Sequence, residues 1–281
     1  MILAGSASQG LAAALAARTT HDLADVEYHR FPDGETKVRI GEPVERAVIV
    51  GSTVSDRAYI EILQLQDAAR EAGAKKVTTV LPYMGYARQD RAFEPGEPVS
   101  ARAIARAVST GTDRVLTVNP HELAVCDFFD VAAKAVEGAG RLAEGLPAGL
   151  EEPLFLSPDA GGIGVAQAIR DAYGTGSVDN FEKRRRGDED VELTADSVDI
   201  AGRDVVLADD IIATGSTMAQ AAGVLSDGEA AGIWVACVHA LLVGNARTRL
   251  ERANVDRLIA TDTIEQSVSA VSVAPAIADA L

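Results

Sequence analysis

Lysine is nearly missing from this chain. Only 5 of its 26 basic residues are Lys and the other 21 are Arg, while 42 Asp and Glu leave a net charge of −16. No basic stripe survives in such a sequence, which excludes nucleic acid as the main partner. Acid-rich, Lys-poor composition resembles that of cytoplasmic proteins from salt-loving organisms, where screening blunts self-repulsion. Cysteine is scarce too. Cys126 and Cys237 stand far apart in apolar surroundings, the pattern of buried free thiols in a reducing cytoplasm rather than of a disulfide framework. No apolar run is long enough to cross a bilayer, so no membrane role is expected. The opening M-I-L-A-G-S-A-S-Q-G-L-A-A-A-L has no basic residue before Arg18 and is broken by Ser, Gln and Gly. It predicts a strand, a glycine loop and a helix, not a secretory leader.

What is present is core-forming material and a duplication. The 281 residues suit one large or two ordinary domains, and 47% apolar content can fill them. Ile2-Leu3-Ala4, G-S-A-S-Q-G and L-A-A-A-L read as strand, glycine loop and helix. Phe155-Leu156, S-P-D-A-G-G-I-G and V-A-Q-A-I read the same way, with Gly10 falling 154 positions before Gly164. Val26 to Arg30 and Lys37 to Ile40 flank F-P-D-G-E; their counterparts lie around Val178 and at V-E-L, 191–193, flanking F-E-K-R-R-R-G-D-E-D. A strand from Arg46, a helix to Gly73 and the strand K-V-T-T-V-L-P match R-D-V-V-L-A-D-D, a helix and the strand G-I-W-V-A-C-V. An offset of about 153–159 across three element pairs predicts two α/β domains, each built around a mainly parallel sheet flanked by helices. The seam is expected within E-G-L-P-A-G-L-E-E-P, residues 144–153, where Pro and Gly cluster. That divides the chain into 1–146 and 147–281. Ligands of such sheets bind beyond the carboxyl ends of the strands, so each domain offers one such edge and a cleft between them can hold a two-part substrate.

The stretch R-D-V-V-L-A-D-D-I-I-A-T-G-S-T, Arg203 to Thr217, organises the functional reading. Val205 to Leu207 predict a buried strand that ends at Asp209 and Asp210. The small and hydroxyl residues Ala213, Thr214, Gly215, Ser216 and Thr217 follow, then a helix over Met218 to Leu225. A loop of this kind offers convergent N–H groups to a phosphate. Carboxylates beside it can take sugar hydroxyls or a metal ion. The alternative is an ordinary strand–turn–helix with a Ser/Thr cap; paired Asp at the end of a core strand, costly without partners, favours a site.

Five more segments carry candidate chemistry. In P-Y-M-G-Y-A-R-Q-D-R, residues 82–91, Arg88 and Arg91 can make bidentate phosphate contacts and Gln89 can read a polar edge; the alternative is a solvated loop. In N-P-H-E, residues 119–122, His121 is a metal ligand, a phosphate contact or a structural histidine. In S-P-D-A-G-G, Asp159 precedes a glycine pair that permits close backbone approach. The F-E-K-R-R-R-G-D-E-D segment is a solvated charged loop or one that orders on a polyphosphate. In F-P-D-G-E, Pro-Asp-Gly is turn chemistry, and Phe31 can stack on a planar ring.

These segments, with F-F-D (128–130) and T-D-T-I (261–264), stand in the order and spacing seen in ribose-phosphate pyrophosphokinases. The chain resembles that family over nearly its whole length. The R-Q-D-R block and the D-D-x-x-x-T-G-x-T loop are jointly specific; the second also occurs in type I phosphoribosyltransferases, which share the domain fold. The resemblance implies two tandem type I phosphoribosyltransferase-like domains, the first serving ATP and the second ribose 5-phosphate. It also implies transfer of the diphosphoryl group of ATP to the C1 hydroxyl of ribose 5-phosphate, giving 5-phosphoribosyl 1-diphosphate and AMP in cytoplasmic nucleotide biosynthesis.

Carried over by resemblance, Ala213, Thr214, Gly215, Ser216 and Thr217 hold the 5-phosphate, and Asp209 and Asp210 the ribose hydroxyls. Arg88, Gln89 and His121 contact ATP. Asp33, Gly34 and Glu35 receive adenine from a neighbouring subunit with Phe31 stacked on it, which makes a dimer the minimum active unit. His121 and Asp159 position Mg²⁺, and Lys183 and Arg185 close over the reacting phosphates, Arg185 also reaching the ribose 5-phosphate. Two departures stand out. Asn119 replaces the Asp that many members carry two residues before the histidine, so it is left out of the expected metal ligands. Ala213 replaces another Asp, so no carboxylate there serves as base for the C1 hydroxyl. A non-catalytic regulatory relative and a phosphoribosyltransferase are the two alternatives. Intact Lys183, Arg185, His121 and Asp159 count against the first, and the motifs of the first half against the second.

Overall fold

Short apolar runs become the inner strands, whose two faces are both covered. The computed structural model describes residues 1–185, 191–194 and 200–281, with 182–185 and 191–194 described by backbone alone. In chain order come β1 (Ile2–Ala4), α1 (Gln9–Ala16), β2 (Val26–Arg30), β3 (Thr36–Ile40), β4 (Arg46–Val50), α2 (Asp56–Glu71), β5 (Lys76–Leu81), α3 (Ser100–Ser109), β6 (Arg114–Val118) and β7 (Ala132–Val136). Then follow β8 (Leu154–Ser157), α4 (Ile163–Tyr173), β9 (Ser177–Asn180), β10 (Glu182–Arg185), β11 (Val191–Thr194), β12 (Asp204–Ile212), α5 (Ser216–Asp227) and β13 (Gly232–Ala240). The chain continues with α6 (Ala246–Glu251), β14 (Arg257–Thr261), β15 (Ser269–Val271) and α7 (Ala274–Ala280). The opening segment is the expected strand, glycine loop and helix.

The contacts divide the chain into two units. The first is Met1–Glu137 with Thr263–Glu265 and Ser272–Leu281; the second is Gly138–Asp262 with Gln266–Val271. In the first unit, five parallel strands run in the order β1-β4-β5-β6-β7. Ile62, Leu65 and Ala69, spaced at three and four along α2, cover one face with Ala101, Ala105 and Val108 of α3, burying Ile49, Val77 and Val115. The Ser55 hydroxyl caps α2 by accepting from the Ala58 N–H at 3.2 Å. β2 and β3 stand outside this sheet as an antiparallel ribbon with residues 31–35 at its tip. The Gln64 side chain on α2 ties the ribbon down: it accepts from Val38 N at 3.2 Å and donates to Thr36 O at 2.7 Å.

The second unit repeats the plan with parallel order β15-β14-β13-β12-β8-β9. Its core joins Leu154, Leu156, Val205, Leu207 and Val235 to Met218, Ala221, Ala222 and Leu225 of α5. The expected α/β architecture around parallel sheets is therefore present in both units.

Four details differ from the sequence reading. The segment around Val178 is no hairpin partner of 191–193: as β9 it is the outer strand beside β8, while β10 and β11 form the ribbon that answers β2 and β3. The charged segment expected as a loop therefore begins as a strand; its residues 186–190 lie outside the described residues. β12 does not end at the aspartates. Its pairing with β8 stops at Leu207, but its register with β13 continues to Ile212 opposite Ala240, which carries Asp209 and Asp210 along in extended backbone. Cys237 is buried as expected, whereas Cys126 is half-buried; both are free thiols.

The division falls after Glu137 rather than after residue 146. Residues 139–145 wind as a 3-10 segment of the second unit, and Gly145 is so close to β14 that a Cβ there would stand 2.5 Å from Ile259 Cγ2. Helix α7 belongs with the first unit. Ala274 and Ile277 are buried, and the Arg114 guanidinium donates to the carbonyls of Ala280 at 2.8 Å and Leu281 at 3.3 Å. The 263–265 segment is held there too: Leu11 N–H donates to Glu265 Oε1 at 2.9 Å, and the Ser52 hydroxyl donates to the Thr263 carbonyl. A hydrogen bond to a charged group contributes about 1.5–3 kcal/mol. Arg114→Ala is accordingly expected to speed amide exchange over 274–281 by ~10-fold or more, while β12 and β13 keep their protection. Uniform loss of protection in both units would contradict this placement of α7.

Candidate active site

Carboxylates gather at the carboxyl edge of the second sheet. Asp209 Oδ1 accepts the Asp210 backbone N–H at 2.9 Å. Burial first, then the charge of Asp210, with Asp159 adding to it, hold the Asp209 carboxyl well above the ordinary carboxylate range. Asp159, just past β8, caps a single 3-10 turn by accepting from Gly161 N at 2.9 Å and Gly162 N at 3.3 Å. A side chain at Gly162 has no room, since a Cβ would stand 2.4 Å from Ser157 Oγ and 3.3 Å from Asp209 Oδ1. Cys237 lies opposite Asp209 on β13, and burial, then the Asp209 charge, push its thiol far up. It is no nucleophile.

Beyond Ile212 the chain turns through residues 213–217 into α5. Gly215 takes φ +71°, and a Cβ there would stand 3.3 Å from Ala246 O. No side chain caps α5. This disposes of the ordinary Ser/Thr cap. Thr214 Oγ1 and Ser216 Oγ lie 3.2 Å apart. Among the described residues, the backbone N–H groups of Thr214, Gly215, Ser216 and Thr217 find no acceptor, and the three hydroxyl residues are exposed. Unsatisfied amides and hydroxyls at a helix start make an anion cradle.

On the first unit, the segment after β5 is anchored before it reaches its arginines. Tyr83 N–H donates to Ser52 Oγ at 3.1 Å, Gly85 N–H to Thr53 Oγ1 at 2.9 Å, and the Tyr59 hydroxyl to Gly85 O at 2.5 Å. A Cβ at Gly85 would sit 2.4 Å from the Thr53 carbonyl oxygen. Tyr86 accepts a positive φ of 60°, and its hydroxyl donates to Asp56 at 2.6 Å. Past that fixed turn, Arg88 and Arg91 are exposed, and Gln89 Oε1 accepts from the Ser100 hydroxyl at 2.5 Å. His121 is exposed beyond the end of β6, the strand next to β5. Arg88, Gln89 and His121 therefore follow neighbouring parallel strands of one sheet.

The F-P-D-G-E turn closes the β2–β3 ribbon. Phe31 N–H donates to Glu35 O at 2.8 Å, Gly34 N–H to Phe31 O at 2.9 Å, and Asp33 Oδ1 accepts from Glu35 N at 3.0 Å. Gly34 supplies the φ of +96° that this turn needs. The exposed Phe31 ring meets His29 edge-on at 4.7 Å, with the Lys37 ammonium 5.7 Å from its centre. Lys183 and Arg185 sit on β10, across from Leu193 and Val191 in the ribbon register. The second unit thus brings Asp159, Asp209, Asp210 and residues 213–217 to one sheet edge, and the first unit brings Arg88, Gln89 and His121 to another.

Among the described residues, no group of three His, Cys, Asp or Glu side chains is placed to hold a metal ion. The oxygen donors of Asp159, Asp209 and Asp210 nonetheless suit Mg²⁺, which takes one or two carboxylates and completes its shell with water and substrate phosphate. Three contributors escaped the sequence reading: Ser157 beside Gly162, Ser100 on Gln89, and Arg249, whose guanidinium donates to Thr214 O at 2.9 Å and to Ser216 Oγ. Ser157 stands inside S-P-D-A-G-G without a role being read for it, whereas no spacing or composition marks Ser100 or Arg249, which act through contacts with other segments.

A model of the N-terminal domain of ribose phosphate pyrophosphokinase matches residues 1–111, and one of the phosphoribosyl transferase domain matches residues 131–275. A ribose-phosphate pyrophosphokinase from Halobacterium salinarum is 59% identical, with 100% of each chain covered. The chain belongs to the ribose-phosphate pyrophosphokinase family. Another member, from Methanopyrus kandleri, is 42% identical over 100% of this chain and 98% of its own. The crystal structure of phosphoribosylpyrophosphate synthetase from Mycobacterium smegmatis superposes with a TM-score of 0.85 at 27% identity, covering 100% of this chain and 96% of that one. The two tandem phosphoribosyltransferase-like domains expected from sequence accord with these matches. No described helix is long and apolar enough to cross a membrane.

The raised Asp209 carboxyl has a consequence for stability. A carboxyl whose folded pKa lies above its unfolded value favours the fold while protonated in both states. That contribution is lost as pH rises from the unfolded value, about 3.9, through the folded one. In the absence of ligands, Asp209→Asn is therefore expected to melt ~2–4 °C above the wild type at pH 8, the gap closing below about pH 4. A variant that melts lower at pH 8 would show that the Asp209 charge is already compensated in the fold.

Proposed function

We propose that this chain transfers the diphosphoryl group of ATP to the C1 hydroxyl of ribose 5-phosphate, releasing AMP. The observation that carries this reading is the open cradle of amides and hydroxyls at 214–217 placed beside Asp209 and Asp210. Such a pair of features matches a sugar phosphate: the cradle takes the dianion, and the carboxylates accept hydrogen bonds from the 2- and 3-hydroxyls. Nucleotide phosphates are met by Arg88, with Gln89 offering its amide N–H groups from an orientation that Ser100 holds. His121 also faces the nucleotide side. Exposure of Phe31 suits stacking of an adenine that belongs to a second copy, with Asp33, Gly34 and Glu35 around it. The working form is then at least a dimer in a cytoplasmic setting.

In the reaction the C1 oxygen bonds to the β-phosphorus, and the bond from that phosphorus to the oxygen bridging the α-phosphorus breaks, so AMP leaves with the bridging oxygen. A loose phosphoryl transition state asks little of a base, which fits the absence of a carboxylate at Ala213. Positioning and charge neutralisation carry the rate. Lys183 and Arg185 supply fixed positive charge to the moving diphosphoryl group. His121 and Asp159 would position Mg²⁺, directly or through water, and the ion would neutralise diphosphate oxygens.

The direct test mixes the purified protein with ATP, Mg²⁺ and ribose 5-phosphate and follows AMP; a phosphoribosyltransferase or a non-catalytic relative would release none. Removing one group that stabilises a developing charge costs roughly 3–4 kcal/mol. Lys183→Ala is accordingly expected to lower turnover at least ~100-fold while ribose 5-phosphate affinity stays near normal. Equal turnover in the two proteins would strike Lys183 from the catalytic set.

A further inference from the structure

One arginine outside every recognised segment holds the phosphate loop from behind. Arg249 lies on α6, and its Nη1 donates to the Thr214 carbonyl at 2.9 Å and to Ser216 Oγ. The two bonds act on the loop in different ways. A trans peptide plane points its oxygen and its hydrogen in opposite directions. Pinning the Thr214 carbonyl to Arg249 therefore aims the Gly215 N–H away from α6, and keeps a carbonyl dipole from facing the incoming anion. A guanidinium has donors only. Because Ser216 Oγ accepts from it, the hydroxyl proton of Ser216 is turned outward, toward Thr214 Oγ1 at 3.2 Å or toward a phosphate oxygen.

The backbone ahead of Arg249 braces the same loop. Leu242 N–H donates to Ile212 O at 3.1 Å and Val243 N–H to Ala213 O at 2.9 Å. Ala246 O then fills the space where Gly215 would carry a Cβ. Residues 242–249 thus make one wall behind the cradle; of its two arginines, Arg247 turns to Ser267 and Glu251 while Arg249 bonds to the loop, its charge adding attraction for the phosphate dianion.

We infer that Arg249 is a positioning residue for the 5-phosphate of ribose 5-phosphate, acting through the Thr214 carbonyl and the Ser216 hydroxyl. The inference rests on the reading of 213–217 as the sugar-phosphate cradle. Its effect belongs to binding of the phosphate and not to the chemical step. Arg249→Ala is expected to raise KM for ribose 5-phosphate at least ~30-fold, with kcat within ~3-fold and KM for ATP unchanged. Arg249→Lys, which restores one charge but not two directed donors at that reach, should recover only part of the loss.

Two measurements keep the inference separate from the functional reading. Calorimetric titration of ribose 5-phosphate, and of ribose without phosphate, into the wild type and both variants needs no turnover. Weakening by ~30-fold for ribose 5-phosphate but not for ribose supports the role, even if the wild type were to release no AMP and the reading of the activity fell. Unchanged affinity in Arg249→Ala overturns the role while AMP release leaves the activity standing. If Arg249→Ala melts far below the wild type, Arg249→Lys with an unchanged melting temperature gives the same readout: full-strength binding by it would show that charge alone suffices and that directed positioning is wrong.

Discussion

Carrying an ionisable carboxyl within a strand of a sheet covered on both faces costs several kcal/mol unless a partner compensates it. Here that constraint falls on Asp209, crowded by Asp210 and by the charge of Asp159. The surroundings are arranged for it. Gly162 leaves out a side chain so that the carboxylate has room, Cys237 is kept as a protonated thiol behind it, and β13 carries β12 on to Ile212, past Leu207 where β8 lets go. Among the described residues, none of the groups that raise this carboxyl is a cation. Stability is given up locally so that affinity can be directed.

The two sheet edges solve opposite problems. In the first unit, hydroxyls are consumed internally: Ser52, Thr53 and Tyr59 hold the backbone of residues 83–85, so that Arg88 and Gln89 start from a rigid base. In the second unit, the hydroxyls of 214–217 face solvent and the backbone is held from outside, by Val243 and Arg249. One edge presents long flexible cations from a fixed turn. The other presents short fixed donors. A rigid base under long side chains and a rigid cradle of short donors are two different ways to hold an anion.

Much of this was legible in the residues, and the limits have physical causes. Apolar runs such as Val205–Leu207 and the 76–81 strand declare themselves because buried parallel strands need little else. The internal offset between halves disclosed two units, and the glycine- and hydroxyl-rich loop disclosed the cradle. The end of β12 was misjudged because pairing on one side outlasts pairing on the other, which no local pattern encodes. Strand β10 was hidden by its charges, which are typical of a loop, although its partner at 191–193 was legible. Likewise A-P-A-I-A-D-A says helix without saying which core it closes; only the Arg114 guanidinium reaching Ala280 and Leu281 decides that.

That last attachment makes the second unit an insertion. The chain leaves the first unit after Glu137, builds β8 to β14 elsewhere, touches back at 263–265, adds β15 to the second sheet, and returns for good only at Ser272. The first unit cannot be cut out as one continuous piece of gene without leaving part of its own core behind, whereas the span 138–271 carries the whole of the second. On a ribosome, the first sheet must wait with an uncovered face until nearly the whole message has been read. Two halves of similar plan share one chain, and the terminal helix that returns to the first leaves the second enclosed within it in sequence.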